Sequence, residues 1–203
     1  MTFDDKAKPL FLGALMNKLR LLPAESIRGR TCVAGVSEDP YRGLGALAYA
    51  FTLDDHMEVW SLRTWYRYNH LVYPDPVGMM EKDRESFSIK NVVHSIEDGQ
   101  SACNRLKQFR LKPEHAYTGF QDLGPLVCRI EGLLASGSFG IVEDPRLLQA
   151  LHECPGKTDA SGLRRPCLEN GGTYAKIIMA GLFASQLLFK LARGDLPSST
   201  GEG

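Results

Sequence analysis

Neither sign of charge prevails in this chain: 24 lysines and arginines face 24 aspartates and glutamates over 203 residues. Without a basic excess, bulk coating of nucleic acid is disfavoured, although local basic patches stay open. A net charge near zero also favours self-association over repulsion. Long apolar runs are missing too. The longest stretch, Ile177–Phe189, is interrupted by Ser185 and Gln186 and flanked by Lys176 and Lys190, too short to span a bilayer. The opening MTFDDKAKP leads into no apolar run with a small-residue cleavage site, so no signal peptide is expected. Five cysteines, at 32, 103, 128, 154 and 167, are odd in number and without tight pairing. They read as reduced thiols in a reducing compartment. A soluble, intracellular protein, cytoplasmic or nuclear, is expected.

Intact catalytic motifs are equally scarce. Ala135–Val142, ASGSFGIV, resembles the glycine-rich loop of protein kinases, with Ala135 where the first glycine belongs, but no HRD or DFG follows in the remaining chain. Pro155-Gly156-Lys157-Thr158 is similar to the end of a phosphate-binding P-loop, yet Leu151 stands where the leading glycine is required. Tyr41–Ala46, YRGLGA, resembles the coenzyme-A pyrophosphate loop of N-acetyltransferases. Those enzymes place strands before the loop and a helix after it, and here a strand pattern follows. His152, Cys154 and Cys167 match no four-ligand zinc spacing. No G-x-S-x-G setting surrounds a nucleophile. Neither metal nor cofactor is expected.

What is abundant lies between Thr31 and Tyr73. The run Ala46–Tyr68 holds both tryptophans together with Tyr49, Tyr66 and Tyr68. Leu47, Tyr49, Phe51 and Leu53 alternate strictly with Ala46, Ala48, Ala50 and Thr52. At strand spacing the large residues share one face; at helical spacing they scatter. With Val, Trp, Thr and Tyr crowding Met57–Tyr68, the run reads as a β-hairpin turning at Asp54-Asp55-His56. The rival reading is a helix over Leu53–Tyr68 capped by Thr52.

Elsewhere the period is helical. Leu12, Leu15, Met16, Leu19 and Leu22 make a stripe behind Pro9, and Thr31–Val36 reads as a short buried strand. Residues 37–45 read as a loop. Val92, Val93, Ile96, Cys103, Leu106 and Phe109 suit helices broken near Gly99. Further helices are expected over Ala116–Ala135, from Pro145 with Asp144 as its cap, and over Thr173–Arg193, which is apolar on most sides. The expected fold is α+β: an N-terminal helix, a small antiparallel β-meander over 31–73, and a helical C-terminal half. One domain spans 1–193, as a helical arm (1–30), a β region (31–78) and a helical region (79–193), with 194–203 a disordered tail.

The candidate binding face is the outer side of the second hairpin strand. If Trp60, Leu62, Tyr66 and Tyr68 face the core, Arg63, Trp65 and Arg67 line up opposite them, as stacking on a base with phosphate contacts would require. Arg105, Lys107, Arg110 and Lys112 could extend a phosphate track. With no catalytic motif, the leading expectation is a non-enzymatic interaction or assembly protein that binds a protein partner, its own copies or RNA. Peripheral membrane contact through the N-terminal helix is the lesser reading. The alternative is a small enzyme using the Asp54–Glu58 acidic cluster or the Tyr41–Ala46 loop, acyltransferase-like.

Overall fold

The structure, a computed structural model, describes residues 8–39, 43–54, 56–67, 75–95, 99–108, 110–115 and 123–194. In chain order the elements are β1 (Lys8–Pro9), α1 (Gly13–Met16), β2 (Arg20–Leu22), β3 (Thr31–Asp39), β4 (Leu44–Leu53), β5 (Met57–Arg67), α2 (Pro76–Asp83), β6 (Ser88–His94), α3 (Gly99–Gln108), β7 (Lys112–His115), α4 (Leu123–Ser136), β8 (Phe139–Val142), α5 (Pro145–Glu153), β9 (Pro155–Thr158), β10 (Arg164–Pro166) and α6 (Leu168–Ala192).

The large–small alternation of β4 has a tertiary cause: both of its faces are covered. Leu47, Tyr49, Phe51 and Leu53 enter an apolar cluster with Val77 and Met80 of α2 and Leu106 of α3. Ala46, Ala48 and Ala50 enter a second cluster with α4, α5 and α6. The small side chains, with Gly35 of β3, let α6 lie directly on the sheet. A Cβ on Gly35 would overlap the carbonyl oxygen of Ala180 and come 2.8 Å from the amide nitrogen of Ala184. Helix α6 is thus buried against strand on one side and helix on the other, which explains its nearly all-apolar composition.

The main sheet has seven strands in the order β2-β8-β5-β4-β3-β6-β7. β4 pairs antiparallel with β3 and β5, whereas β3–β6, β6–β7, β5–β8 and β8–β2 are parallel. The carboxyl ends of β3, β5, β6 and β8 therefore share one edge of the molecule. A second sheet, β1-β9-β10, has three strands.

This architecture corrects the expected α+β fold. The three strands of the 31–73 region are present, but as the centre of a mixed α/β sheet between helical layers and not as a meander beside a helical half. Three segments account for the difference. Val92 and Val93 lie on a strand, because β6 is buried on both faces and such strands read as short apolar runs without alternation. Phe139–Val142, from the stretch that resembles a glycine-rich turn, is the wholly buried strand β8. Near the N-terminus, among the described residues, the α-helix is confined to Gly13–Met16 with a 3-10 turn at Ala24–Ile27, and Arg20–Leu22 leaves the apolar stripe to pair with β8. In each case sheet pairing overrides local period. The strand Thr31–Val36 also runs further than expected, so Ser37, Glu38 and Asp39 are strand residues.

Local signals hold where capping decides. Asp144 accepts from the backbone amides of Arg146 and Leu147, with Pro145 in the first turn of α5. By length and apolarity α6 could cross a membrane over Gly172–Ala192, but 67% of that window is buried inside the fold. It is a core helix here.

Candidate active site

In open α/β sheets the place where ligands meet the chain is outside the carboxyl ends of the strands. At the end of β3 lie Ser37, Glu38 and Asp39, and beside them on the parallel strand β6 come His94 and, one residue beyond, Ser95. Alternation sends Ser37 and Asp39 to the α6 face and Glu38 to the other. The Ser37 hydroxyl is fully buried and has no hydrogen-bond partner among the described residues. The amide of Glu38 donates to the Ser95 hydroxyl at 2.9 Å, and the amide of Ser95 donates to the Val36 carbonyl at 3.0 Å, locking the two strand ends together.

Glu38 is 5% exposed and accepts from the Tyr66 hydroxyl at 2.5 Å. The bond crosses a whole strand, since Glu38, Gly45 and Tyr66 are register partners on β3, β4 and β5. It exists because Gly45 has no side chain: a Cβ there would lie inside the Tyr66 ring. On the opposite face, α6 sends Lys176 to the strand end. Its Nζ donates to the Glu38 carbonyl at 3.3 Å and stands 3.8 Å from Asp39 Oδ2, with 7% and 18% of the two side chains exposed. His94 is buried against Cys103, with Nε2 to Sγ at 3.3 Å.

A cavity of about 390 Å³ is lined by Trp65, Arg146, Gln149, Thr173 and Tyr174 together with Gly172 and Ile177, and by no residue of the strand-end cluster. The register Ser37↔Ala46↔Trp65 places Trp65 on the α6 face two strands from Ser37, about 10 Å away. Thr173 and Tyr174 follow a break in α6 at Gly172, where φ is 48° and ψ is −126°. One short stretch of α6 thus serves both the cavity and, through Lys176, the strand end.

The residues singled out from sequence are dispersed. Arg63 and Trp65 do not share a face, because a β-bulge opposite Leu47/Ala48 falls between Leu62 and Thr64 and reverses the alternation there. Trp65 packs toward α6, whereas Arg63 crosses to Asp83 at 2.6 Å, the carboxylate that also accepts from Tyr49. Burial, then that hydrogen bond, holds the Tyr49 phenol well above its ordinary range. The bulge likewise turns Tyr66 away from Trp60 and Leu62. The Arg67 side chain lies outside the described residues. On α3, Arg105 Nη2 donates to both carboxylate oxygens of Asp75, at 2.9 and 2.8 Å, and Lys107 is exposed. Arg110 and Lys112 line a cavity of about 490 Å³ with Arg84 and Lys90, at the amino-terminal ends of β6 and β7.

The alternative chemistry does not assemble. Asp54 is at the hairpin tip with φ 49°, and Asp55 lies outside the described residues. Glu58 points inward, 3% exposed, paired with Arg129 at 2.6 Å and accepting from Trp60 Nε1 at 2.8 Å and from Ser185. Of the Tyr41–Ala46 loop, residues 41–42 lie outside the described residues, while Leu44–Ala46 begin β4 where the resemblance requires a helix.

Two features of the strand-end cluster carry little local signal: Ser37–Asp39 read as loop but are strand, and Lys176 reads as the flank of an apolar run but reaches the strand end. The available signal was the charge itself, one lysine within the opening turns of a helix apolar on nearly every side.

No family model matches the chain, and no curated protein sequence resembles it. Its fold, by contrast, is that of known structures. The large terminase nuclease from thermophilic phage G20c superimposes with a TM-score of 0.63 at 17% identity, over 88% of this chain and 98% of that one. The HK97 bacteriophage large terminase matches with a TM-score of 0.65 at 15% identity, over 87% of this chain but 43% of that one. The nuclease domain of the bacteriophage SPP1 large terminase, solved with bound manganese, matches with a TM-score of 0.57 at 11% identity, over 85% and 97%. This chain thus spans nearly all of the isolated nucleases and less than half of the HK97 protein. The likeness overturns the expectation of a non-enzymatic interaction or assembly protein: the fold is one found in nucleases, and nothing in it supports RNA or self-assembly.

Among the described residues, the strand-end cluster brings no set of oxygen ligands together for a divalent metal. Such an ion needs several oxygen ligands converging on one point. Glu38 and Asp39 are adjacent on a strand and diverge to opposite faces. Among the described residues no three His, Cys, Asp or Glu side chains gather as a metal site.

Proposed function

We propose that this chain is a nuclease acting on DNA, with the carboxyl ends of β3 and β6 as its active face. The observation that carries the reading is the fold, shared over 88% of the chain with a phage terminase nuclease, combined with a polar cluster at the strand ends. In this reading Trp65 and Tyr174 offer aromatic surfaces to bases at the cavity mouth, and Arg146, whose guanidinium also pairs with Asp144, lies half-exposed beside the backbone. Asp39 is the described carboxylate on the α6 face at the carboxyl end of β3. It takes the proton of a water whose oxygen bonds to phosphorus as the phosphorus–sugar oxygen bond breaks, and solvent protonates the leaving oxygen. No step runs through a metal.

The proposal keeps part of the basic track. Arg84, Lys90, Arg110 and Lys112 form a positive cavity suited to phosphates away from the active face. Residues 1–193 are taken as one domain. Five free cysteines, three of them buried, suit the reducing interior of a cell.

The test is hydrolysis of supercoiled plasmid by the purified chain, in EDTA and with added Mg²⁺ or Mn²⁺, with an RNA of similar length in parallel. Nicked and linear DNA should appear, and Asp39→Asn should slow it about a hundredfold. Intact plasmid under every condition, or nicking indifferent to Asp39→Asn, refutes the reading. Cleavage of RNA alone would refute the choice of DNA.

A further inference from the structure

We infer that the basic cavity at the amino-terminal ends of β6 and β7 is a second DNA site, an anchor for backbone phosphates that stands apart from the chemistry at the carboxyl ends. The ligand follows from the nuclease reading; the site rests on the cavity itself. In a chain whose 24 basic and 24 acidic residues balance, this cavity of about 490 Å³ gathers Arg84, Lys90, Arg110 and Lys112 against one carboxylate, Glu85. All four cationic residues are exposed. Arg28 and Arg30, exposed as well, flank Gly29, which lines the same cavity.

Two local devices place these residues. Between the pairs Cys32↔Ile89 and Ala34↔Val92, β6 carries one residue more than β3. That bulge interrupts the ladder at Lys90 and Asn91, and both line the cavity. At the end of α3, the amide of Leu111 donates to the Leu106 carbonyl and that of Arg110 to the Lys107 carbonyl, each at 2.9 Å, closing the helix in a Schellman motif. The left-handed residue of that motif is Arg110, with φ 58°. Glycine is usual there, because a Cβ is strained in that conformation. The chain thus keeps an arginine where glycine would suit the fold better, and that arginine lines the cavity. Guanidinium and ammonium groups clustered in this way match phosphate oxygens in both charge and hydrogen bonding. β6 is seven residues long, about 20 Å, so its two ends have separate duties, anchorage at one and hydrolysis at the other.

The experiment uses the full chain and a short labelled DNA duplex in fluorescence anisotropy over a range of salt, with polyglutamate as an acidic control. Arg110→Gly removes the strained residue and should melt at or above the wild-type temperature. It should nevertheless weaken duplex binding about tenfold at about 0.1 M salt and lower the slope of log affinity against log salt by about 0.9. Lys90→Gln and Lys112→Gln should each lower the slope by a similar amount. Lys157→Gln, at an exposed lysine of β9 in the other sheet, should leave it unchanged. An unchanged slope in Arg110→Gly or in both lysine variants, an equal loss in Lys157→Gln, or polyglutamate bound as tightly as the duplex overturns the inference. Arg110→Gly melting well below wild type would show that the arginine is kept for the fold, and overturns it too. Duplex binding as expected with plasmid left intact refutes the nuclease reading and leaves the phosphate site standing.

Discussion

Replacing Arg129 by methionine should destabilise this protein far more than a partly exposed arginine would ordinarily warrant. Glu58, 3% exposed, is held by an ion pair to Arg129 Nη1 at 2.6 Å and by two donors, Trp60 Nε1 at 2.8 Å and the Ser185 hydroxyl. Removing one partner of a buried ion pair costs about 3–5 kcal/mol, because a charge stays behind without its counterion. Here two neutral donors remain and the Arg129 side chain is 26% exposed, which places Arg129→Met near the lower end, about 3 kcal/mol. For a chain of this size that is a drop in Tm of roughly 6–12 °C. Glu58→Gln leaves the arginine free to turn toward solvent and should cost about 1–2 kcal/mol. The double variant should then cost less than the sum, with a coupling of about 1–3 kcal/mol. Arg129 also stands 5.3 Å from the Phe189 ring centroid. Glu58→Gln leaves that contact in place, so the cycle isolates the ion pair. Denaturant unfolding followed by tryptophan fluorescence is suitable, since Trp60 donates to the same carboxylate. Arg129→Met within about 0.5 kcal/mol of wild type, or strictly additive single costs, would refute the reasoning.

Two further outcomes follow from the packing and capping. Gly35→Ala should destabilise by about 3 kcal/mol, at the upper end of overpacking, because the added methyl meets α6 backbone and no side chain that could rotate away; denaturant unfolding near the wild-type midpoint would show that α6 does not lie on β3 as described. Asp144 concerns pH. Burial opposes its ionisation, but hydrogen bonds from the Arg146 side chain and from the amides of Arg146 and Leu147 outweigh it and hold the carboxyl below its ordinary value. A lowered folded pKa means the cap stabilises fully above the unfolded carboxylate range, near pH 4, and loses that contribution as pH falls through the folded pKa. Asp144→Ala should therefore cost about 1 kcal/mol at neutral pH, a difference from wild type that shrinks in acid; unfolding curves at neutral and acid pH that differ by the same amount would sink the idea.

Much of the hairpin was legible before any coordinates. Large residues at every second position of Ala46–Leu53 can share a face only in a strand, and Asp144-Pro145 can open a helix wherever it falls. Such local stereochemistry needs no knowledge of the neighbours. The parallel strands β6 and β8 were not legible, because a four- to seven-residue strand buried on both faces has neither alternation nor length to set it apart from a turn or a helix. Their place is decided by pairing with segments distant in the chain, β3 with β6 and β5 with β8.

The same division governs the active face. Composition and period determined that the chain is globular, that 46–67 turns back on itself and that Thr173–Arg193 is a core helix. They also showed Arg63, Trp65 and Arg67 at alternate positions, from which a shared face followed, until one extra residue in a strand moved Arg63 to the opposite side. Tertiary structure alone decided that Asp39 and Lys176, 137 positions apart in the sequence, meet at a strand end, and that Tyr66 reaches Glu38 over Gly45. The physical reason is that a site of this kind is made by strand order and helix docking. Both depend on which distant surfaces fit together, and a bulge or a missing Cβ changes that fit without leaving any periodic trace in the sequence.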